Sequence, residues 1–363
     1  MPGVRSAVER LEQQFAVWLG VQGAIATGYG RGALWLALQL VIGGKPGAEV
    51  LVPDFICAQV PEAVRRAGGR PVPFPVQRDL TVRPQDVEAA ITRGTRAVIL
   101  AHYYGRALPH IRILAEVCRR RSIVVIEECA LALGTRAQGQ LAGRFGDLAV
   151  FSFTKSDWCY GGGMLATPVR DWVERLRSLR EEKCRPAARL AFCYGLLRRL
   201  DSAANRPAWS RLAGCAGRWL EKGLSAVEPS LAGNFFDAGR FDATMPPFAA
   251  RRAQRILARL DATIARRRAS LPALVERFRK EVAFEDDTFR PFRDSSNAEA
   301  DDTAAFLLLE APAGKSSQCA ARADAAGFTW RLPWPAYQQL SASSGSEHIA
   351  WLKDHLLIIE NHR

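Results

Sequence analysis

Between residues 49 and 128 the chain alternates short apolar runs with longer stretches of helical spacing. "EVLVP" (49–53) reads as a buried strand, "AQVPEAVRRAG" (58–68) as a helix stopped by glycine, and "RPVPFPV" as extended chain. "RPQDVEAAIT" (83–92) is helical and "RAVILAHYYG" (96–105) is a strand that ends in polar residues. "HIRILAEVCRRR" (110–121) is an amphipathic helix, and "SIVVIEE" (122–128) is a β-branched strand with two carboxylates at its end. Strands apolar on both faces and alternating with helices predict a parallel α/β sheet. Upstream, "GALWLALQLVI" (32–42) is a mostly apolar helix that follows the glycine-punctuated "TGYGRG". The pattern from about 170 to 225 is helical and arginine-rich, like an insert, and a long helix is expected over 246–282. A strand (303–310), a helix (315–326) and a last strand (355–360) complete a smaller α+β unit, with 294–302 the most loop-like segment. The expected division is a large α/β domain over 1–244 and a smaller domain over 245–363.

Composition narrows the class. The 363 residues are 48% hydrophobic and 24% charged, which is ordinary for a globular chain. No apolar run reaches the ~18 residues of a membrane span. "MPGVRSAVERLEQQFAVWLG" reads as an amphipathic helix rather than a secretory leader, so residence in the cytoplasm is expected. The eight cysteines (57, 118, 129, 159, 184, 193, 215, 319) form no CxxC pair, and buried thiols are expected rather than disulfides or a metal centre. A net charge of +13 suits a phosphorylated substrate, a nucleic acid or a membrane surface. No nucleic-acid-binding signature accompanies it, and packed helices with snorkelling arginines explain the Trp- and Arg-rich stretch better than an interfacial role.

Chemistry in an open α/β sheet gathers at the carboxyl ends of its strands. "GYGRGAL" (28–34) sets glycines just before a helix, where backbone N–H groups and the helix dipole can hold a phosphate; a plain turn is the alternative. His102 ends one strand, Glu127 and Glu128 end the next, and "FSFTK" (151–155) ends another with Ser152 and Lys155. A lysine at a strand end facing a run of three glycines is a candidate nucleophile.

With these motifs in order, the chain resembles the DegT/DnrJ/EryC1/StrS family of pyridoxal phosphate (PLP) aminotransferases, of the aspartate-aminotransferase fold, which implies a large, mostly parallel sheet of seven-stranded type flanked by helices and a smaller α+β domain. The resemblance rests on "FAVWLGV", "GYGRGALWLAL", "EVLVPDFICAQVPEAVRRAG", "AVILAHYYG", "VVIEECALALG", "GRFGDLAVFSFTKSDWCYGGGML" and "RFDATMPPFAARRAQRILARLD", which span nearly the whole chain. It implies that Lys155 attaches PLP covalently and that Ser152 binds the cofactor phosphate. Gly30, Arg31 and Gly32 match the segment whose amides cap that phosphate, with the arginine charge assisting. Glu128 falls where the family has an aspartate that pairs with the pyridinium nitrogen; Glu127 is its neighbouring alternative. Cys57 falls where an aromatic often stacks on the ring, with Phe55 or Tyr103 as substitutes. Leu131 replaces the family's histidine or glutamine, and the family pattern continues past "LLIIENHR" with a terminal helix.

What the resemblance implies is amine transfer from an amino acid, glutamate, to a keto group of a nucleotide-linked sugar. Lys155 speaks against the family's dehydratase branch, which has histidine there. The resemblance also implies a homodimer with sites at the interface, His102 and Arg240 being candidates to face substrate or the neighbouring subunit. The departures at Glu128 and Leu131 leave open a PLP-fold regulatory or partner subunit.

Overall fold

The computed structural model describes residues 5–45, 47–155, 161–186, 240–282, 290–291, 302–311, 316–328, 330–331, 351–352 and 355–361. Most of the expected 170–225 helical region and the 294–302 loop lie outside these described residues. The large sheet is built from β1 (Gly23–Thr27), β2 (Glu49–Pro53), β3 (Arg70–Phe74), β4 (Thr95–Ala101), β5 (Val124–Glu128), β8 (Leu148–Ser152) and β9 (Gly163–Thr167). Its order is β1-β9-β8-β5-β4-β2-β3. Every neighbouring pair in β8-β5-β4-β2-β3 is parallel, whereas β9 runs antiparallel to both β1 and β8. A short hairpin, β6 (Arg136–Ala137) with β7 (Gln140–Leu141), lies outside the sheet.

Helix α1 (Ala7–Leu19) shows how local sequence fixes one layer. Ser6 and Glu9 form a capping box at its start, and Ala7, Leu11, Phe15 and Leu19 recur every fourth position and are all buried. Phe15 meets Phe151 and Phe153 edge-on, with ring centroids 5.0 and 5.9 Å away. Those two phenylalanines flank Ser152, so packing them on α1 turns the serine to the other face of the strand.

The remaining helices are α2 (Gly30–Ile42), α3 (Gln59–Arg66), α4 (Pro84–Ala90), α5 (Ile111–Arg120), α6 (Arg170–Lys183), α7 (Pro247–Ala258), α8 (Leu260–Val282) and α9 (Ser316–Ala325). The helix expected over 246–282 is thus two helices that meet at Arg259. Ala249, Ala253, Leu260 and Ile264 pack with α1 in one buried cluster, whereas Phe278 and Val282 belong to another beneath the second sheet. The change of packing partner falls inside α8. That second sheet has the order β10-β11-β13-β12, with β10 at Arg290–Pro291, β11 at Phe306–Glu310, β12 at Trp330–Arg331 and β13 at Leu356–Glu360. Phe306, Leu308, Leu356 and Ile358 join the core of the large sheet, while the alternate residues Leu307, Leu309, Leu357 and Ile359 pack with Phe278. Among the described residues no helix is long and apolar enough to cross a membrane.

Asp54, just beyond β2, extends the β2–β3 pairing by one step. Its amide donates to Phe74 O (2.8 Å) and its carboxylate Oδ1 accepts from Val76 N (2.8 Å). The side chain is 3% exposed. Burial, only partly offset by backbone donors, pushes its pKa from 3.8 to about 7. A carboxyl whose folded pKa is raised holds its proton longer in the native state than in the unfolded chain. Stability is therefore lost as pH rises from about 4 to about 7, by up to the order of 4 kcal/mol. Asp54→Asn, which keeps an acceptor for Val76, is expected to flatten this slope and to be more stable than the wild type at pH 8. Urea midpoints at pH 5 and pH 8 check it; equal slopes for the two proteins would refute the assignment.

Candidate functional site

Register brings the candidate residues to one edge of the large sheet. Thr27 and Ser152 both pair with Gly163, Glu128 pairs with Val150, and Ala101 pairs with Glu128. Beyond Thr27 the chain turns into α2, and the glycines here allow close contact rather than simple flexibility. A Cβ on Gly163 would lie 2.2 Å from the Tyr29 carbonyl oxygen, and one on Gly30 would lie 3.0 Å from Ser152 Cβ and 3.4 Å from its Oγ. The serine hydroxyl thus faces the first residue of α2 across a space that only a missing side chain leaves open. The Gly162 amide donates to Gly28 O, and the Phe153 amide donates to Gly162 O (3.0 Å), tying the glycine run to both strands.

Ser152 is buried, and its Oγ lies 2.8 Å from Thr154 Oγ1. Lys155 closes the 3-10 turn Phe153–Lys155 and is exposed. Glu128 is half-buried by surface area but surrounded by enough protein for desolvation to dominate, which raises its pKa above the ordinary 4.5. The positive charge of Lys155 is the largest opposing influence, ahead of the hydrogen bond that Ala130 N donates to Glu128 Oε1 (3.1 Å). Glu128 and Lys155 therefore feel each other across the strand ends. A cationic ring N–H would supply the further countercharge that this carboxylate lacks. An anion would suit the α2 N-terminus beside Ser152, where the first amides have no partner within their own helix. The residues present fit PLP, phosphate at one end and ring nitrogen at the other.

The geometry places His102, a candidate to face substrate or the neighbouring subunit, inside the protein. It is 1% exposed, its Nδ1 accepts from Leu108 N (2.9 Å) and its Nε2 lies 2.9 Å from Glu127 Oε2. Glu127 is wholly buried and also accepts from the amides of Gly143 (2.8 Å), Phe145 (2.6 Å) and Gly146 (2.6 Å). It is a structural carboxylate; strand alternation sends it to the face opposite Glu128. Cys129 lies within 4.8 Å of the ligand atoms of both, but the lone pairs of the carboxylate are already directed at four donors.

Gly32 and Arg31 are also placed differently from expectation. The Gly32 amide donates to Tyr29 O (3.0 Å), and a Cβ on it would lie 2.6 Å from Phe241 O, so its role is to admit that neighbouring segment. The Arg31 guanidinium lies over the Tyr29 ring (4.3 Å to its centroid), and its Nε donates to Arg240 O (2.9 Å) rather than turning into the cradle. Arg240 itself pairs through Nε and Nη2 with Asp242 of the same chain, at 3.1 and 3.4 Å. Both members are about one-third exposed, a pair that contributes little and is readily exchanged.

Cys57 is half-buried, on the turn between β2 and α3. Phe55 and Tyr103, the suggested substitutes for a stacking aromatic, are both core residues, and Tyr103 Oη donates to Phe55 O (2.7 Å). Leu131 likewise packs into the core. Two residues of note were missed in the sequence. Thr154 carries no signal beyond its place between Ser152 and Lys155. Asp54 could have been flagged as an acid directly after a strand buried on both faces.

Comparisons with known proteins agree with this architecture. Over 183 residues the chain is 33% identical to a pleiotropic regulatory protein of Geobacillus stearothermophilus, covering 49% of each. Over 176 residues it is 39% identical to a UDP-N-acetyl-3-dehydro-α-D-glucosamine 3-aminotransferase of Acidithiobacillus ferrooxidans, covering 47% of each. The matched region thus spans about half the length of these curated relatives. The PLP form of a putative sugar aminotransferase, Spr1654 of Streptococcus pneumoniae, superposes with a TM-score of 0.72 at 17% identity, over 99% of this chain and 87% of that one, which shows the fold. The family model for DegT/DnrJ/EryC1/StrS aminotransferases matches residues 5–195. That match covers more than half of a chain whose mostly parallel sheet carries a lysine just past one strand end, and the chain belongs to the DegT/DnrJ/EryC1/StrS aminotransferase family.

Proposed function

We propose that this chain is a PLP-dependent aminotransferase that moves an amino group from an amino acid, glutamate, to a keto group of a nucleotide-linked sugar. The observation that carries the reading is the gathering of Gly30, Ser152, Lys155 and Glu128 where the carboxyl ends of β5 and β8 meet the start of α2. PLP, when bound, supplies a carbonyl that takes up the amine and a ring that withdraws electrons from the reacting carbon. The Ser152 hydroxyl and the Gly30 and Arg31 amides hold its phosphate. Lys155 Nζ holds the cofactor covalently and, once released, moves the proton at the reacting carbon. A Glu128 carboxylate oxygen holds the proton of the ring nitrogen, and Cys57 borders the ring. The sugar substrate is supported by the name of the Acidithiobacillus relative, and the +13 net charge favours a diphosphate-bearing ligand.

The active unit in this reading is a cytoplasmic homodimer. Arg240 exchanges its exposed pairing with Asp242 for an anionic group at the subunit interface. One alternative has a specific basis: the Geobacillus relative is named a regulatory protein, and Leu131 offers no hydrogen bond toward a cofactor. In that case the chain binds PLP without transferring amines.

A screen of keto-sugar nucleotides with glutamate tests the main reading, using Glu128 variants as the internal control. Glu128→Gln is expected to lower turnover by about 10²–10³-fold while PLP uptake through Lys155 and the phosphate persists. Glu128→Asp, which shortens the reach to the ring nitrogen, is expected to retain part of the activity. Unchanged kinetics in both variants would remove Glu128 from the site, and no turnover with any keto sugar despite PLP uptake would favour the regulatory alternative.

A further inference from the structure

Thr154 sits on the surface in the 3-10 turn Phe153–Lys155, yet its hydroxyl turns back onto Ser152 Oγ at 2.8 Å. Ser152 is 4% exposed, and its Oγ faces the position where Gly30 lacks a Cβ, at 3.4 Å. A hydroxyl offers one proton and two lone pairs. If Thr154 donates to Ser152, the proton of Ser152 stays available for a group in front of Gly30; if Ser152 donates to Thr154, it does not. A phosphate in the cradle is acceptor-only, so it selects the first arrangement, and two hydroxyls donating in series polarise one another. The β-branch of threonine limits its rotamers and so helps to hold the hydroxyl in that direction.

We propose that Thr154 is a positioning residue of the phosphate cradle, acting through Ser152 to aim the serine proton at the cofactor phosphate. This rests on the PLP reading above. The turn then does two jobs at once, since the three residues that place Lys155 also fix the donor at the opposite end of the cofactor.

Titrating the full-length protein with PLP and with pyridoxal, which lacks the phosphate, tests the idea through cofactor fluorescence. Thr154→Val, close in shape and exposed, is expected to weaken PLP binding about tenfold, the loss of one well-aimed hydrogen bond to a charged group. Pyridoxal binding should be unchanged, and Thr154→Ser should restore PLP affinity. Added to Ser152→Ala, Thr154→Val should have no further effect, because it acts only through the missing hydroxyl. Wild-type PLP affinity in Thr154→Val would overturn the proposal, as would equal losses for PLP and pyridoxal. A full tenfold loss on top of Ser152→Ala would also overturn it, by showing direct contact with the phosphate. If the wild type itself fails to take up PLP in a Lys155-dependent way, the PLP reading falls and this inference with it.

Discussion

Lys155→Ala is expected to abolish the visible absorbance that the purified protein develops with PLP, and to lower any amine transfer by on the order of 10⁴–10⁶-fold. The lysine ends a three-residue turn and is exposed, so its removal takes no atoms out of a packed core. Its stability should match the wild type within about 0.5 kcal/mol. Lys155→Arg sharpens the test, because it keeps the positive charge facing Glu128 but presents a guanidinium that stays protonated and does not attack a carbonyl. Both variants should still bind PLP weakly through the phosphate end, where Ser152 and the start of α2 are untouched. Absorbance spectra before and after dialysis read the covalent attachment, and a unfolding midpoint checks the fold. Wild-type colour or turnover in Lys155→Ala would defeat the central assignment, whereas loss of both together with the fold would move the lysine into the structural class.

Much of the large domain was legible because each strand of the parallel run carries its own evidence. "VLV" (50–52), "AVILA" (97–101) and "VVI" (124–126) are apolar at successive positions, which fits burial on both faces, and glycine or arginine-rich helix ends separate them. The direction of β9 was not legible, since "GMLAT" is buried at every position and reads the same whichever way it runs. The division of "IEEC" was hidden for a related reason. Consecutive strand residues point to opposite faces, but nothing in the strand pattern says which face holds the site, so Glu127 stood beside Glu128 as its alternative and His102 as a candidate to face substrate or the neighbouring subunit. Only the fold reveals that the loop 143–146 lays three amides on Glu127.

The glycines of "GYGRG" carried a similar ambiguity. Gly30 faces Ser152, Gly32 faces Phe241 O and Gly28 lies against Ala243, contacts made more than 100 residues away along the chain. The split in packing along α8 was invisible because one helical period continues across it while its partners change.

Glu127→Ala is expected to be the most destabilising single change near the site, although Glu127 has no part in the proposed chemistry. The wholly buried carboxylate accepts from the amides of Gly143, Phe145 and Gly146 and lies within hydrogen-bond distance of His102 Nε2. Since Nδ1 of the histidine accepts from Leu108 N, the ring proton sits on Nε2 and is directed at the carboxylate. Removing the carboxylate leaves four buried donors without an acceptor, each worth about 1–3 kcal/mol of lost solvation. Even half the additive total, about 2–6 kcal/mol, is a large share of the roughly 5–15 kcal/mol that typically holds a domain together. The variant should therefore accumulate poorly or unfold far below the wild-type midpoint. Glu127→Gln retains one oxygen but turns an NH₂ group toward backbone N–H donors, so it should fall between the two. Glu128→Gln, one residue away, leaves no comparable set of donors stranded and should unfold close to the wild type while losing turnover. The two glutamates thus separate stability from chemistry: urea midpoints should move for residue 127 alone, and turnover of still-folded protein should move most for residue 128. A Glu127→Ala midpoint equal to that of the wild type would show that the buried amides find other acceptors, and the structural role given to Glu127 would have to be abandoned.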